Sequence, residues 1–233
     1  DWDEACTKEI NPRVQYHFCN ESLRDSFYSG NWEYQNCEKH SIFMSQAATP
    51  IKGLHFMLRA MPEILKKYPD THLYIAGNDL TKTDSLYEKL KISSFAKYIK
   101  RLISEYNLEE KVTFTGSLTE QKMKERFLKS NVFVSPSTIE NSPNSLGEAM
   151  LLGVPCISSD VGGVKNMLVH NLEGYIYQAD APYMIAYYVK KVFNDADCAL
   201  IISKNAKSHA GKTHNRDENL KMLLKIYREL YEQ

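Results

Sequence analysis

Two glutamates stand eight positions apart in the stretch Ser135-Pro-Ser-Thr-Ile-Glu140-Asn-Ser-Pro-Asn-Ser145-Leu-Gly-Glu148-Ala-Met-Leu-Leu-Gly153. Between them Asn144 or Ser145 opens a helical pattern. The free amides of a first helical turn, with the helix dipole behind them, attract phosphate. Gly147 would let a ligand approach that helix closely. Local chemistry offers a second explanation. Ser145-Leu-Gly-Glu148 also spells a capping box, in which Glu148 reaches back to the N-cap amide, and Glu140 alone is an ordinary loop carboxylate. Lys52-Gly53 opens another helix after a strand, where an ammonium can meet a diphosphate, although a lysine there is more often solvated. Gly77-Asn78 and Gly116-Ser117 close two further strands as turns, and Asp160-Val-Gly-Gly163 permits tight backbone packing after a third. Several strand ends with glycine or phosphate-friendly groups say more together than any one alone.

The elements that must position these residues alternate. Short β-rich runs at 41–45, 72–76, 111–115, 131–135, 154–158 and 174–177 suit strands buried on both faces. Helical patterns separate them at 52–68, 84–106, 120–129, 145–152 and near Val164. In the first, Leu54, Met57, Leu58, Met61, Leu65 and Tyr68 form one stripe, which Pro62 is expected to interrupt with a kink. Strand–helix–strand repetition requires parallel strands joined by right-handed crossovers, so the expected fold is α/β with a doubly wound parallel sheet. Ligands in such a sheet bind at the carboxyl ends of the strands. Three more helical patterns follow, at 182–194, 197–210 and 216–231. The last carries an apolar face that could cover the domain's own sheet, the commoner case, or dock onto a neighbour. Residues 1–40 do not share the alternation, and read as the end of a preceding structure plus a linker, with Val14–Phe18 a remnant strand or edge.

Composition narrows the class of protein. The 233 residues hold 29 basic and 29 acidic side chains, so no global field favours nucleic acid or an anionic bilayer. The five cysteines have no close spacing and read as reduced thiols. No apolar run approaches a membrane span. The seven histidines show no ligand pattern.

The stretch 112–177 resembles the donor-binding domain of the retaining family-4 glycosyltransferases, also called glycosyl transferases group 1. Glu140 and Glu148 give that family's E-x7-E motif. Ser-Pro-Asn-Ser-Leu-Gly-Glu-Ala-Met, Gly153-Val-Pro155, Ser159-Asp-Val-Gly-Gly163 and Glu173-Gly174 surround it in the family's order. Looser similarity covers 41–231. The resemblance implies the Rossmann-like half of a GT-B fold with extra C-terminal helices. It implies that Glu148 binds ribose hydroxyls, Glu140 the donor sugar, amides near Asn144, Ser145, Leu146 and Gly147 the diphosphate, and Lys52 its charge. The backbone around Ser117 and Leu118 would hold the base. Carboxylates accept hydrogen bonds from sugar hydroxyls well and should not face phosphate, which agrees with this division.

Two departures stand out. The family usually places an arginine five or six residues before the lysine, where this chain has Gln46, and a neutral amide lacks the arginine's charge-assisted fork. It often has glutamate where this chain has Asn166. Asp1-Trp-Asp3 and Asp195-Ala-Asp197 spell a metal motif of another glycosyltransferase fold, but neither should face the pocket.

What the resemblance implies is a retaining, hexosyltransferase-type enzyme that uses a nucleotide diphosphate sugar, UDP-sugar ahead of GDP-sugar, with a saccharide or lipid-linked acceptor, in polysaccharide or glycoconjugate biosynthesis. No cofactor, metal or nucleic acid is expected. The expected location is the cytoplasm, either free or peripheral at the inner face of the plasma membrane. A GT-B-fold sugar-nucleotide epimerase and a non-catalytic nucleotide-sugar-binding module are the alternatives; no strand runs into the G-x-G-x-x-G of a dinucleotide oxidoreductase. Residues 1–40 are then the tail of an N-terminal domain and its linker, and 41–233 the nucleotide-sugar domain. An N-terminal domain would supply acceptor contacts, so this chain is expected to bind nucleotide and transfer little sugar by itself.

Overall fold

The computed structural model describes residues 2–82 and 92–232. The apolar runs become six parallel strands: β1 (Glu38–Met44), β2 (His72–Ile75), β3 (Val112–Phe114), β4 (Ser130–Ser135), β5 (Cys156–Asp160) and β6 (Tyr175–Gln178). They lie in the order β3-β2-β1-β4-β5-β6. β1 pairs with β2 through Ile42 opposite Leu73 and with β4 through Ile42 opposite Val132. Uniform hydrophobicity is what such strands need, because helices cover both faces. All six residues of β4 are buried.

Among the described residues the helices are α1 (Trp2–Ile10), α2 (Leu54–Leu65), α3 (Ser94–Glu105), α4 (Glu120–Lys129), α5 (Asn144–Leu152), α6 (Val164–Met167), α7 (Tyr183–Asn194), α8 (Ala196–Thr213) and α9 (Arg216–Tyr231). α2 packs with α3 and α7; α5 packs with α4 and α8. The helix expected at 84–106 is seen from Ser94, where Ser93 caps it by accepting from the Ala96 amide; its first part, 84–91, lies outside the described residues. Pro62 does not break α2's stripe, since Leu54, Met57, Leu58, Met61 and Ile64 are all buried.

Two expectations for the chain ends need correction. Residues 14–18 form no strand, and α1, a polar helix with no buried residue, precedes them. α9 does not cover the sheet: Leu220, Leu223, Leu224, Tyr227 and Leu230 are between 41% and 63% exposed. Other helices already occupy both faces of the sheet. Residues 21–36 pack against the domain. Leu23, Phe27 and Trp32 join the same core cluster as the strands. Phe27 meets Phe127 edge-on at 5.9 Å. Trp32 donates from its indole Nε1 to the Ser130 carbonyl at the start of β4, and from its amide to Leu152 at the end of α5, both at 2.8 Å.

Trp32→Ala should therefore destabilise the chain by about 3–5 kcal/mol, the range for truncating a buried aromatic. Urea unfolding measures it, and a change below about 1 kcal/mol would show that this segment only rests on the domain.

Candidate functional site

Between β1 and β4 the strand order reverses, the place in such a sheet where ligands bind. After β1, a 3-10 turn (Pro50–Lys52) ends on Gly53 at φ 74°. A side chain is excluded there: a Cβ would sit 1.8 Å from the Pro136 carbonyl oxygen. That close approach presses the β1 loop onto the β4 loop, and the Thr138 amide donates to the Ile51 carbonyl at 2.8 Å. From the other side Gly162 and Gly163 pack on the backbone of Glu140 and Asn141, with the Gly163 amide donating to Asn141 at 3.0 Å. Clamped between them, Glu140 accepts from Lys52 Nζ at 2.6 Å and from Ser137 Oγ at 2.7 Å.

α5 begins after Pro143, which gives it no side-chain cap. The Leu146 and Gly147 amides already donate to the Pro143 carbonyl. The groups left to meet an anion in the first turn are thus the amides of Asn144 and Ser145. Glu148 does not close a capping box. Its carboxylate is 4% exposed and is held by Arg24 in a two-pronged bond, Nε to Oε1 at 2.6 Å and Nη2 to Oε2 at 2.7 Å. That bond holds the guanidinium still more firmly protonated than usual. Arg24 belongs to the N-terminal segment and stacks its guanidinium over Phe27 at 4.7 Å.

Two adjoining hollows result. One, of about 540 Å³, is lined by residues 21–24, Gln46, Lys52, Glu140, Asn144, Ser145 and Glu148. The other, of about 360 Å³, is lined by Gln46, Lys52, Ile75, Phe114, Ser117 and Leu118. They share Ser45, Gln46, Lys52 and Met123, so one groove follows the carboxyl edge of the sheet from β3 to α5. The structure brings together Lys52, Gln46, Ser117, Leu118, Glu140, Asn144, Ser145 and Glu148. It leaves Leu146 and Gly147 out of the lining. Leu146 is buried in the core, and Gly147 faces inward: a Cβ there would lie 2.6 Å from His214 Nε2 and 2.9 Å from Leu23 Cδ1. Gly147 thus serves close packing of the N- and C-terminal segments behind α5.

Sequence reasoning missed Arg24, because no local pattern links it to Glu148. Other candidates resolve into packing roles. Asp195 caps α8 by accepting from the Cys198 amide. His40 meets Asp70, and His209 meets Glu173. Tyr188 stacks on Tyr175, whereas Tyr183 and Tyr187 stay exposed. Among the described residues no group of three or more His, Cys, Asp or Glu could hold a metal ion, and no helix is long and apolar enough to cross a membrane.

The inward-facing Gly147 yields a test. Gly147→Ala should cost about 1–3 kcal/mol of stability through overpacking against His214 and Leu23, measured by chemical unfolding. An unchanged unfolding midpoint would return this glycine to the ligand side.

Comparison with known proteins identifies the family and the fold. The family model described as "Glycosyl transferases group 1" matches residues 34–209. The uncharacterized glycosyltransferase MJ1607 of Methanocaldococcus jannaschii is 27% identical over 194 residues, covering 83% of this chain and 46% of its own. Among solved structures, the sucrose-phosphate synthase of Thermosynechococcus elongatus matches with a TM-score of 0.80 at 21% identity, over 99% of this chain and 56% of that one. Anabaena Alr3699/HepE in complex with UDP-glucose matches with a TM-score of 0.68 at 18% identity, over 84% of this chain and 50% of that one. These structures show the fold, the Rossmann-like half of a GT-B glycosyltransferase. The chain spans about half the length of these relatives. With most of its residues matched by the family model, this chain belongs to the glycosyl transferases group 1 family.

Proposed function

We propose that this chain binds the donor of a glycosyl transfer, a nucleotide diphosphate sugar, along the groove from β3 to α5. The observation that carries the reading is the set of groups gathered in that groove. Ser117 and Leu118 stand at one end, Lys52 is shared by both hollows, and the open first turn of α5 lies with Glu140 and Glu148 at the other. The base lies against Ser117 and Leu118. Ribose hydroxyls donate to Glu148, and the donor sugar's hydroxyls donate to Glu140. The diphosphate meets the Asn144 and Ser145 amides and Lys52. Lys52 donates one bond to Glu140 and an ammonium has three donors, so Lys52 can face phosphate while keeping Glu140. UDP is the favoured nucleotide, by analogy with the UDP-glucose complex of HepE.

The reaction assigned to the site is transfer with retention, as part of saccharide or glycoconjugate synthesis. The bond from the anomeric carbon to the β-phosphate oxygen breaks, and its electron pair stays on the phosphate. The acceptor hydroxyl attacks from the same face and gives its proton to that departing oxygen. Stabilising the leaving diphosphate is then the chief electrostatic task, shared by Lys52 and the α5 amides. A second, N-terminal domain would supply the acceptor contacts. Five unpaired cysteines fit a reducing compartment.

Calorimetry with UDP, GDP and ADP tests the reading. Glu148→Gln should weaken free UDP by about 1–3 kcal/mol, the worth of a hydrogen bond to a charged group. Glu140→Gln should spare free UDP and weaken only the sugar-bearing donor. Equal UDP affinity in wild type and Glu148→Gln would remove ribose from Glu148.

A further inference from the structure

Glu148 poses an electrostatic problem. The larger hollow is lined by three carboxylates, Glu21, Glu140 and Glu148, against two cations, Arg24 and Lys52. Its lining charge is therefore 2 − 3 = −1 before any ligand enters. A diphosphate brings more negative charge, and a lone, nearly buried carboxylate in the same hollow would repel it strongly because solvent screens it poorly. Gln46, which also lines the hollow, carries no charge to offset this.

We propose that Arg24 is a positioning residue of this site, which fixes Glu148 for ribose and cancels its charge beside the diphosphate. The proposal rests on the nucleotide-diphosphate reading above. Three observations carry it. First, the guanidinium grips both carboxylate oxygens, at 2.6 Å and 2.7 Å, and so sets the plane of the group. It uses one acceptor direction on each oxygen; an ionised carboxylate has about four, so directions remain for two hydroxyls. Second, Arg24 and Glu148 line the same hollow as Lys52, Asn144 and Ser145, so the pair stands within the groove.

Third, the backbone carrying Arg24 is held on both sides. Leu23 and Phe27 are buried in the core. The Leu23 amide donates to Tyr28 Oη at 2.9 Å, and Tyr28 Oη donates to the His214 carbonyl at 2.8 Å. Asp25 pairs with Arg216. Arg24 thus reaches the groove from a fixed frame, although its side chain is 44% exposed.

The test compares UDP affinity by calorimetry in wild type, Arg24→Lys, Arg24→Gln, Glu148→Gln and the double variant, with thermal unfolding of each. Arg24→Gln should weaken UDP by about tenfold or more, the loss expected for a charged hydrogen-bonding partner. Adding Glu148→Gln to Arg24→Gln should restore part of that affinity, because the unpaired carboxylate is then gone. A purely structural role for Arg24 would instead lower the unfolding temperature and leave the UDP affinity of the folded chain unchanged. Arg24→Lys keeps the charge without the fork, and should fold and bind UDP several-fold more weakly than wild type. Multiplying losses in the double variant, or UDP affinities of Arg24→Gln or Arg24→Lys equal to wild type, would overturn the role of Arg24 alone. A wild-type chain that binds none of UDP, GDP and ADP would overturn the nucleotide reading itself and the role with it.

Discussion

A carboxylate buried within a helix must be given a cation or lose its charge, and the carboxylate of Glu148 is 4% exposed. Its cation comes from Arg24, 124 residues earlier in the chain. This pairing reaches well beyond one helix. It draws residues 21–28 across the edge of the sheet, where Leu23 packs on Gly147 and Phe27 enters the aromatic core with Phe127. Those residues become one wall of the groove. Loss of either partner would strand the other, at a cost moderated by the solvent around the half-open guanidinium.

The parallel sheet supplies the rest of the constraint. All strands end on one side, so the loops after β1, β3, β4 and β5 have to share one edge. Their packing is backbone on backbone. Pro136 presses on Gly53, and Glu140 and Asn141 press on Gly162 and Gly163. Side chains at these contacts would push the loops apart and separate Lys52 from Glu140. Gly53, Gly162 and Gly163 therefore set the distance between a cation and a carboxylate. Catalysis by positioned charge depends on such fixed distances, because preorganised groups need no rearrangement as negative charge develops.

Much of this was legible in the sequence. Strand–helix alternation gave all six strands to within three residues at either end, since doubly buried strands carry dense apolar runs. Glu140, Glu148 and Lys52 were singled out by spacing and by their place at strand ends, and the structure gathers them in one groove. The capping-box ambiguity at Ser145-Leu-Gly-Glu148 could not be resolved locally, because the same four residues serve either purpose. Glu148 pairs with Arg24 instead of the N-cap amide, and Arg24 is distant in sequence, inside a segment whose polar and aromatic mixture reads as a linker. Gly147 was assigned to the ligand for a related reason: the His214 and Leu23 side chains that crowd it come from opposite ends of the chain. The apolar stripe of α9 was visible, but whether the sheet had room for it depended on which other helices already covered its faces.

A crystal structure of this chain soaked with UDP would test the whole arrangement in one measurement. The ribose hydroxyls should lie about 2.7 Å from the Glu148 carboxylate, with Arg24 still in place and the diphosphate over the Asn144 and Ser145 amides beside Lys52. UDP bound elsewhere, for example in the hollow by β5 and β6 lined by Tyr177, Tyr183 and Tyr188, with the groove from Ser117 to Glu148 left empty, would contradict it.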